Sequence, residues 1–208
     1  MNKKYVIKDE KSVFIDKEVT IGENVIIYEN NRIEGDTIIE DNVTIYPNSF
    51  ISNSTIKKGS KIYSSLIENS IVGEGCLIGP FAHIRPNSKL GKSVKLGNFC
   101  ETKNSVIGDY TKISHLAYVG DAEIGSNCNI GCGAIFVNYV GKKKSKTIVK
   151  NHVFIGSNVN IIAPVTICEN AYICAGTTVD KDIQPESFVI GRVRQEEKLG
   201  RAKDYFNN

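Results

Sequence analysis

Residues 149–179, VKNHVFIGSNVNIIAPVTICENAYICAGTTV, decide the fold, because Val149, Ile155, Ile161, Ile167, Ile173 and Val179 recur every six positions. The same beat runs through Ile15, Ile21, Ile27, Ile33, Ile39, Ile45 and Ile51. A helix would space its apolar residues near 3.6 and a strand at 2, so one aliphatic residue in six marks the short edge of an all-β, parallel β-helix of hexapeptide repeats. The residue four places after each guide residue shares the narrow interior and should be small or β-branched. Val19, Val25, Val43, Ser49, Thr55, Cys76, Ala82, Cys100, Cys128, Ala134, Val153, Val159, Val165, Ala171 and Thr177 satisfy that rule, and Asn31 is the misfit. Cys76, Cys100 and Cys128 are thereby read most simply as small core residues, the alternative being a metal or redox role.

Three edges make a coil of about 18 residues. Allowing five-residue edges where the beat contracts, one seam holds Ile27, Ile45, Ile62, Ile78, Leu96, Ile113, Ile130, Ile155 and Ile173. The next holds Ile15, Ile33, Ile51, Ile67, Ile84, Thr102, Val119, Phe136, Ile161 and Val179, which predicts about ten coils. Residues 137–148, VNYVGKKKSKTI, are too many for an edge and predict one outward loop, where function tends to sit. The beat stops after Ile183 at Gln184-Pro185, dividing the chain into a β-helix over 1–183 and a C-terminal extension over 184–208, with a short helix expected over Gln195 to Tyr205.

Net charge over 208 residues is only +3, and the basic run from Lys142 to Lys146 falls inside the predicted loop, which argues against a nucleic-acid-binding surface. No segment reaches the roughly 18 to 20 apolar residues needed to span a membrane. Met1 to Tyr5 leads into the repeat rather than into a signal-peptide core, so a cytoplasmic protein without membrane partners is expected. Six cysteines with no CxxC pair do not point to a disulfide framework, and the repeat accounts for half of them as core positions.

Chemistry is then to be sought outside the coils. Arg85 and Lys103 each follow a guide residue of the same seam and stack one coil apart, at roughly 4.8 Å. Two cations that close suit a phosphate between them, or are simply two solvated charges. His115, two residues after Ile113, faces outward near Tyr118, with Glu101 in the preceding coil as a carboxylate that could orient its ring; it is a candidate general base or a surface bystander. His83 and His152 fall on other columns, so the three convergent histidines of a zinc site are absent and no metal is expected. The column beyond His115 continues through Cys132, Ser157 and Ala175 over roughly 14 Å, which suits an extended acyl thioester on a pantetheine arm or is plain surface.

Several stretches carry a resemblance: GPFAHIRP (79–86), GNFCETK (97–103), HLAYVGDAEIG (115–125), NIGCG (129–133), Asn138-Tyr139, APVTI and AGTTV. Together they resemble the acetyltransferase half of the bifunctional bacterial enzyme that makes UDP-N-acetylglucosamine, a hexapeptide-repeat acyltransferase. The resemblance implies a left-handed β-helix, a homotrimer with active sites between subunits, and transfer of acetyl from acetyl-CoA to glucosamine-1-phosphate for cell-wall precursor synthesis. It assigns the sugar phosphate to Arg85 and Lys103, with Tyr118, Asn129 and Lys144 completing the sugar site. It makes His115 the general base with Glu101 nearby, and gives acetyl-CoA to Asn138, Tyr139, Ser157, Ala175 and Arg192.

The family's Gly-rich nucleotidyltransferase start is absent, so neither uridyl transfer nor a use for magnesium is expected of this chain. Val140 follows Tyr139 where the family usually has Asp, and Ser114, Ala134, Ser145 and Arg194 also depart from the pattern around the sugar and acetyl-CoA sites. Alternatives therefore stand: an N-acetyltransferase for another phosphorylated or nucleotide-linked amino sugar, or a non-catalytic trimeric scaffold that binds a sugar phosphate.

Overall fold

Strands of two to four residues alternate with tight corners along the chain, and three strands complete one coil. The computed structural model describes residues 5–206. Its strands form three parallel sheets: eleven strands from Tyr5–Ile7 to Phe188–Val189, ten from Phe14–Ile15 to Thr178–Val179, and nine from Thr20–Ile21 to Val165–Ile167. Within these three sheets consecutive strands never pair with each other, so every pairing joins one coil to the next, as in Ile27↔Ile45, Leu96↔Ile113 and Ile155↔Ile173. The result is a left-handed parallel β-helix of about ten turns, an exception to the right-handed rule for parallel crossovers. The two seams expected from sequence are the first two sheets.

Guide residues fill the axis. Ile27, Ile45, Ile62, Ile78, Ile84, Ile155 and Ile161 are inaccessible to solvent, and each such side chain contributes about 1.5–3 kcal/mol by leaving water. Asparagine dominates the corners, with Asn24, Asn42, Asn53, Asn87, Asn104 and Asn158 among those at positive φ; its short polar side chain makes the left-handed conformation accessible. Burial pushes the Cys76 thiol up to about 11, and raises Cys100 and Cys128 as well, which suits inert core positions.

Inside the corners a second ladder runs along the axis. The hydroxyls of Ser54, Ser60, Ser65, Ser105 and Thr111 accept the backbone N–H of Ser70, Cys76, Ala82, Ala122 and Cys128 one coil on. Asn31, the misfit, performs the same service: its Oδ1 accepts from Ser49 N–H at 2.8 Å and its Nδ2 donates to the Tyr28 carbonyl at 2.9 Å. A buried amide is tolerated because its donor and acceptor are both engaged.

The structure corrects four local expectations. Thr55 is only partly buried and Ser54 takes the interior place, because a five-residue edge separates Ile51 from Ile56 and the inward position keeps its distance from the following guide residue. Val137 and Thr147–Val149 remain in the sheets, paired to Ile162 and to Val165–Ile167, which shortens the excursion. It is a two-stranded antiparallel hairpin, Tyr139–Val140 against Lys143–Lys144. Phe188–Val189 pairs with Tyr172–Ile173 beyond the expected stop at Ile183. The terminal helix spans only Lys203–Phe206, since Gly200 at φ 76° interrupts the segment and it packs no face against the coils. Met1 to Lys4, which bear on the expectation of no leader, lie outside the described residues, as do Asn207 and Asn208. No described helix is long and apolar enough to cross a membrane.

Asn31→Ala leaves the buried Ser49 N–H without its acceptor and is expected to cost about 1–3 kcal/mol. A lowered thermal midpoint with unchanged far-ultraviolet circular dichroism checks this; an unchanged midpoint refutes the role given to the amide.

Candidate active site

Parallel pairing lifts Arg85 and Lys103 onto the outer face of the second sheet, one coil apart, behind the buried partners Ile84 and Thr102. Arg85 Nη1 donates to Glu101 Oε1 at 2.7 Å, and this bond holds the guanidinium pKa above its ordinary value. Both side chains are more than a third exposed, so water screens the pair.

The hairpin brings a third cation. Lys144 lies beside Lys103 and is the chief cause of the lowered Lys103 pKa, with Arg85 adding to the repulsion and Asp121 opposing it. Asp121 is nearly buried. Burial alone would raise its pKa, but hydrogen bonds from Asn104 and Asn138 and the charges of Lys144 and Lys103 outweigh that and lower it. Its Oδ1 accepts from Asn104 Nδ2 at 2.6 Å and its Oδ2 from Asn138 Nδ2 at 2.5 Å. Tyr118 joins this cluster through Gly120, where a Cβ would sit 2.4 Å from the tyrosine hydroxyl and 2.8 Å from Asn138 Nδ2. A larger residue there would have to displace the Tyr118 ring or the Asn138 amide.

His115 ends the strand Lys112–His115 at the corner between the first and second sheets. The sequence suggests Glu101 as its orienting partner, but the structure pairs Glu101 with Arg85, because Glu101 faces outward on the second sheet beside the guanidinium. The ring of His115 meets Asn98 instead: the two residues are in register, and Nδ1 lies 2.6 Å from Asn98 Oδ1. An amide oxygen can only accept, so in the neutral ring this contact favours the Nδ1–H tautomer, in which Nε2 carries the lone pair.

The remaining candidates divide. Asn129 lies on the first sheet between Lys112 and Phe154. Ser157 and Ala175 continue the corner beyond His115 and are exposed, and Arg192 bends back to donate from Nη1 to the Ala175 carbonyl at 3.0 Å. Asn138 is buried at the hairpin's foot, whereas Tyr139 is 60% exposed. One chain thus gathers Arg85, Glu101, Lys103, Tyr118, Asn138 and Lys144 on one face, and His115, Ser157, Ala175 and Arg192 along the adjoining corner. A hollow of about 660 Å³ lies at the other corner, between the second and third sheets, lined by residues including Asn87, Lys89, Asn104, Glu123 and Lys146; it does not contain His115, and the chemistry points elsewhere. Among the described residues no three His, Cys, Asp or Glu side chains gather as a metal site. Asn98, Gly120 and Asp121 are site residues that the sequence reading missed. Register could have found Asn98, and Asp121 is the lone acid in a corner column otherwise Gly35, Asn53, Asn69, Asn87 and Asn104.

Residues 69–104 and 146–181 match the bacterial transferase hexapeptide model of six repeats, and residues 15–85 match the model of the GMPPB C-terminal domain. The chain thus carries bacterial transferase hexapeptide repeats in two stretches. Its relatives include the bifunctional protein GlmU of Clostridium botulinum (strain 657 / Type Ba4), 48% identical over 92% of this chain and 42% of the relative. That of Thermodesulfovibrio yellowstonii is 48% identical over 98% of this chain and 45% of the relative. The chain therefore spans less than half the length of these curated relatives. Among solved structures, the UDP-N-acetylglucosamine acyltransferase of Campylobacter jejuni superposes with a TM-score of 0.47 at 16% identity, covering 86% of this chain and 69% of that one.

Asn98→Ala should redistribute the His115 proton toward Nε2. Ring ¹⁵N shifts at neutral pH are expected to report the Nδ1–H tautomer in the unaltered protein and a shifted mixture in the variant; identical spectra would show that Asn98 does not orient the ring.

Proposed function

We propose that this chain transfers the acetyl group of acetyl-CoA to the amine of glucosamine-1-phosphate, within trimers whose active sites lie between subunits. The observation that carries the reading is the meeting of three cations, Arg85, Lys103 and Lys144, on the face next to an outward histidine whose ring is held by a hydrogen bond. Such convergence is unfavourable in an empty site and becomes favourable when a phosphate accepts charge-assisted hydrogen bonds from all three. Identity of 46–48% to the GlmU proteins, over more than nine-tenths of this chain, supports the same reading.

In this mechanism the sugar phosphate docks on Arg85, Lys103 and Lys144, with Tyr118 bounding the sugar on that face and Asn129, on the first sheet, reaching it across the subunit boundary. The deprotonated amine attacks the thioester carbonyl, and Nε2 of His115 takes the proton that nitrogen sheds as the C–N bond forms. The tetrahedral intermediate collapses with cleavage of C–S, and the imidazolium returns the proton to the departing thiolate. Backbone N–H groups or the Asn138 amide stabilise the oxyanion. Glu101 serves here as the counter-ion that keeps the Arg85 guanidinium extended. The pantetheine arm follows the Ser157–Ala175 corner, with Tyr139 and Arg192 toward its far end. Direct transfer needs no acyl-enzyme and no metal.

A shared site has its own support. The corner between the first and second sheets adopts positive φ at Asn30, Asn48, Ser64, Phe81, Phe99, Leu116, Gly133, Asn158 and Gly176. Most of these residues suit the conformation; Phe81, Phe99 and Leu116 do not, and they are 59%, 57% and 55% exposed on three successive coils beside His115. Strained backbone of this kind costs of order 1–3 kcal/mol per residue, and exposed apolar surface adds to the cost. A second copy of the chain packed on this ridge would recover the loss and enclose the histidine.

Purified protein supplied with acetyl-CoA and a panel of amino sugars should release thiol with glucosamine-1-phosphate in preference to the unphosphorylated sugar. His115→Ala is expected to lower kcat by about a hundredfold or more with little change in the sugar KM; an unchanged kcat removes the histidine as base, and turnover confined to a different amino sugar reassigns the substrate. Light scattering should give three times the chain mass of 22.9 kDa, and Phe81→Ser with Phe99→Ser should shift the mass toward the single chain. A monomeric, fully active protein would remove the shared site.

A further inference from the structure

The corner column Gly35, Asn53, Asn69, Asn87, Asn104 and Asp121 runs along the edge between the second and third sheets, every member at positive φ. Asparagine meets that backbone requirement in four of the five preceding coils, so conformation does not explain a carboxylate at 121. Burying one is costly unless it is paired and hydrogen-bonded. Asp121 receives an amide N–H on each oxygen, from Asn104 and from Asn138. An amide at 121 has a single acceptor oxygen and could not accommodate both donors in the same way.

The main chain around Asp121 is equally committed. Its N–H donates to the Lys103 carbonyl at 3.0 Å and its carbonyl accepts from Thr147 N–H at 3.2 Å, while the Asn138 carbonyl accepts from Ser145 N–H at 2.9 Å. Asn138 leads into the hairpin, and Ser145 and Thr147 lead out of it. Both ends of the hairpin therefore close on Asp121, directly or through Asn138. Lys103 and Lys144, the two mutually repelling ammoniums, also feel this charge.

We propose that Asp121 is a positioning residue of the acetyl-transfer site: by clamping Asn138 and balancing Lys103 and Lys144, it fixes the hairpin so that Lys144 stands beside Lys103 before the phosphate arrives. The proposal rests on the acetyl-transfer reading for its kinetic consequence, but the clamp itself is testable without turnover. Asp121 touches neither the sugar nor the thioester in this scheme. Its effect passes through Asn138 and Lys144.

The test is Asp121→Asn, which keeps size and tolerates positive φ, studied by hydrogen exchange and by kinetics on the full chain. Exchange of the Ser145 and Thr147 amides should accelerate at least tenfold, while amides of the distant Lys61–Ile62 rung keep their wild-type rates. The reciprocal double variant, Asp121→Asn with Asn138→Asp, restores a carboxylate between the same donors and cations and should slow the Ser145 amide again. In the thiol-release assay Asp121→Asn should raise the KM for the sugar phosphate about tenfold, with a smaller change in kcat. Unchanged Ser145 exchange in Asp121→Asn overturns the clamp. So does a double variant that keeps the Lys61–Ile62 rung protected yet exchanges as fast at Ser145 as the single one. Unaltered sugar-phosphate KM overturns the positioning role. If the wild-type protein releases no thiol with any amino sugar, it is the acetyl-transfer reading that fails, and the exchange results still decide the clamp.

Discussion

Backbone hydrogen bonding from each coil to the next is the constraint on which the rest of this molecule depends. It fixes a spacing of roughly 4.8 Å along the axis, so a difference of one coil in sequence becomes a side-chain neighbour in space. Arg85 and Lys103 stack for this reason, as do Asn98 and His115. The same constraint accounts for the stacked rings of Tyr28, Tyr46 and Tyr63 and of Phe154, Tyr172 and Phe188. Functional groups on such a scaffold need no folded pocket in a single chain to bring them together. They need register, and a means of covering them.

Register also explains what can be read from residues alone. The guide positions are legible because a narrow interior admits one aliphatic residue per edge, and both seams traced from the sequence coincide with sheets. Positions set by side-chain hydrogen bonds are less visible. Asn31 breaks the apolar rule yet belongs in the core, since its amide substitutes for the serine hydroxyls that serve the same backbone donors elsewhere. Thr55 was misplaced because a contracted edge shifts the inward position, and contraction is evident only from the next guide residue.

The site was legible in outline and not in its pairings. The place of Glu101 one coil before His115 suggests a partnership, but Glu101 faces outward on the second sheet whereas His115 ends a strand of the first, and Glu101 meets Arg85. Asn98 holds the ring because it is one coil below in strict register. Asp121 and Gly120 carry no chemical signature as residue types. Their importance arises from the hairpin, which departs from the repeat and brings Asn138 and Lys144 to a place that no periodic rule locates.

Charge balance around the hairpin clarifies why the site takes this form. Arg85, Lys103 and Lys144 would drive each other apart in an empty site, and each exposed cation can turn into water. Glu101 is bonded to the first and the charge of Asp121 acts on the other two, yet the two acids are placed differently. Glu101 is partly exposed and shares its partner with solvent, so an arriving phosphate can compete for the guanidinium at modest cost. Asp121 is nearly buried and receives an amide N–H on each oxygen, so its charge is held in place. In the proposed function, an anion entering from solvent would meet three cations whose repulsion Glu101 and Asp121 offset in part and its own charge would relieve further. On that proposal, a fixed counter-charge behind the cations and a displaceable one beside them would hold the cluster together and still leave it attractive to phosphate.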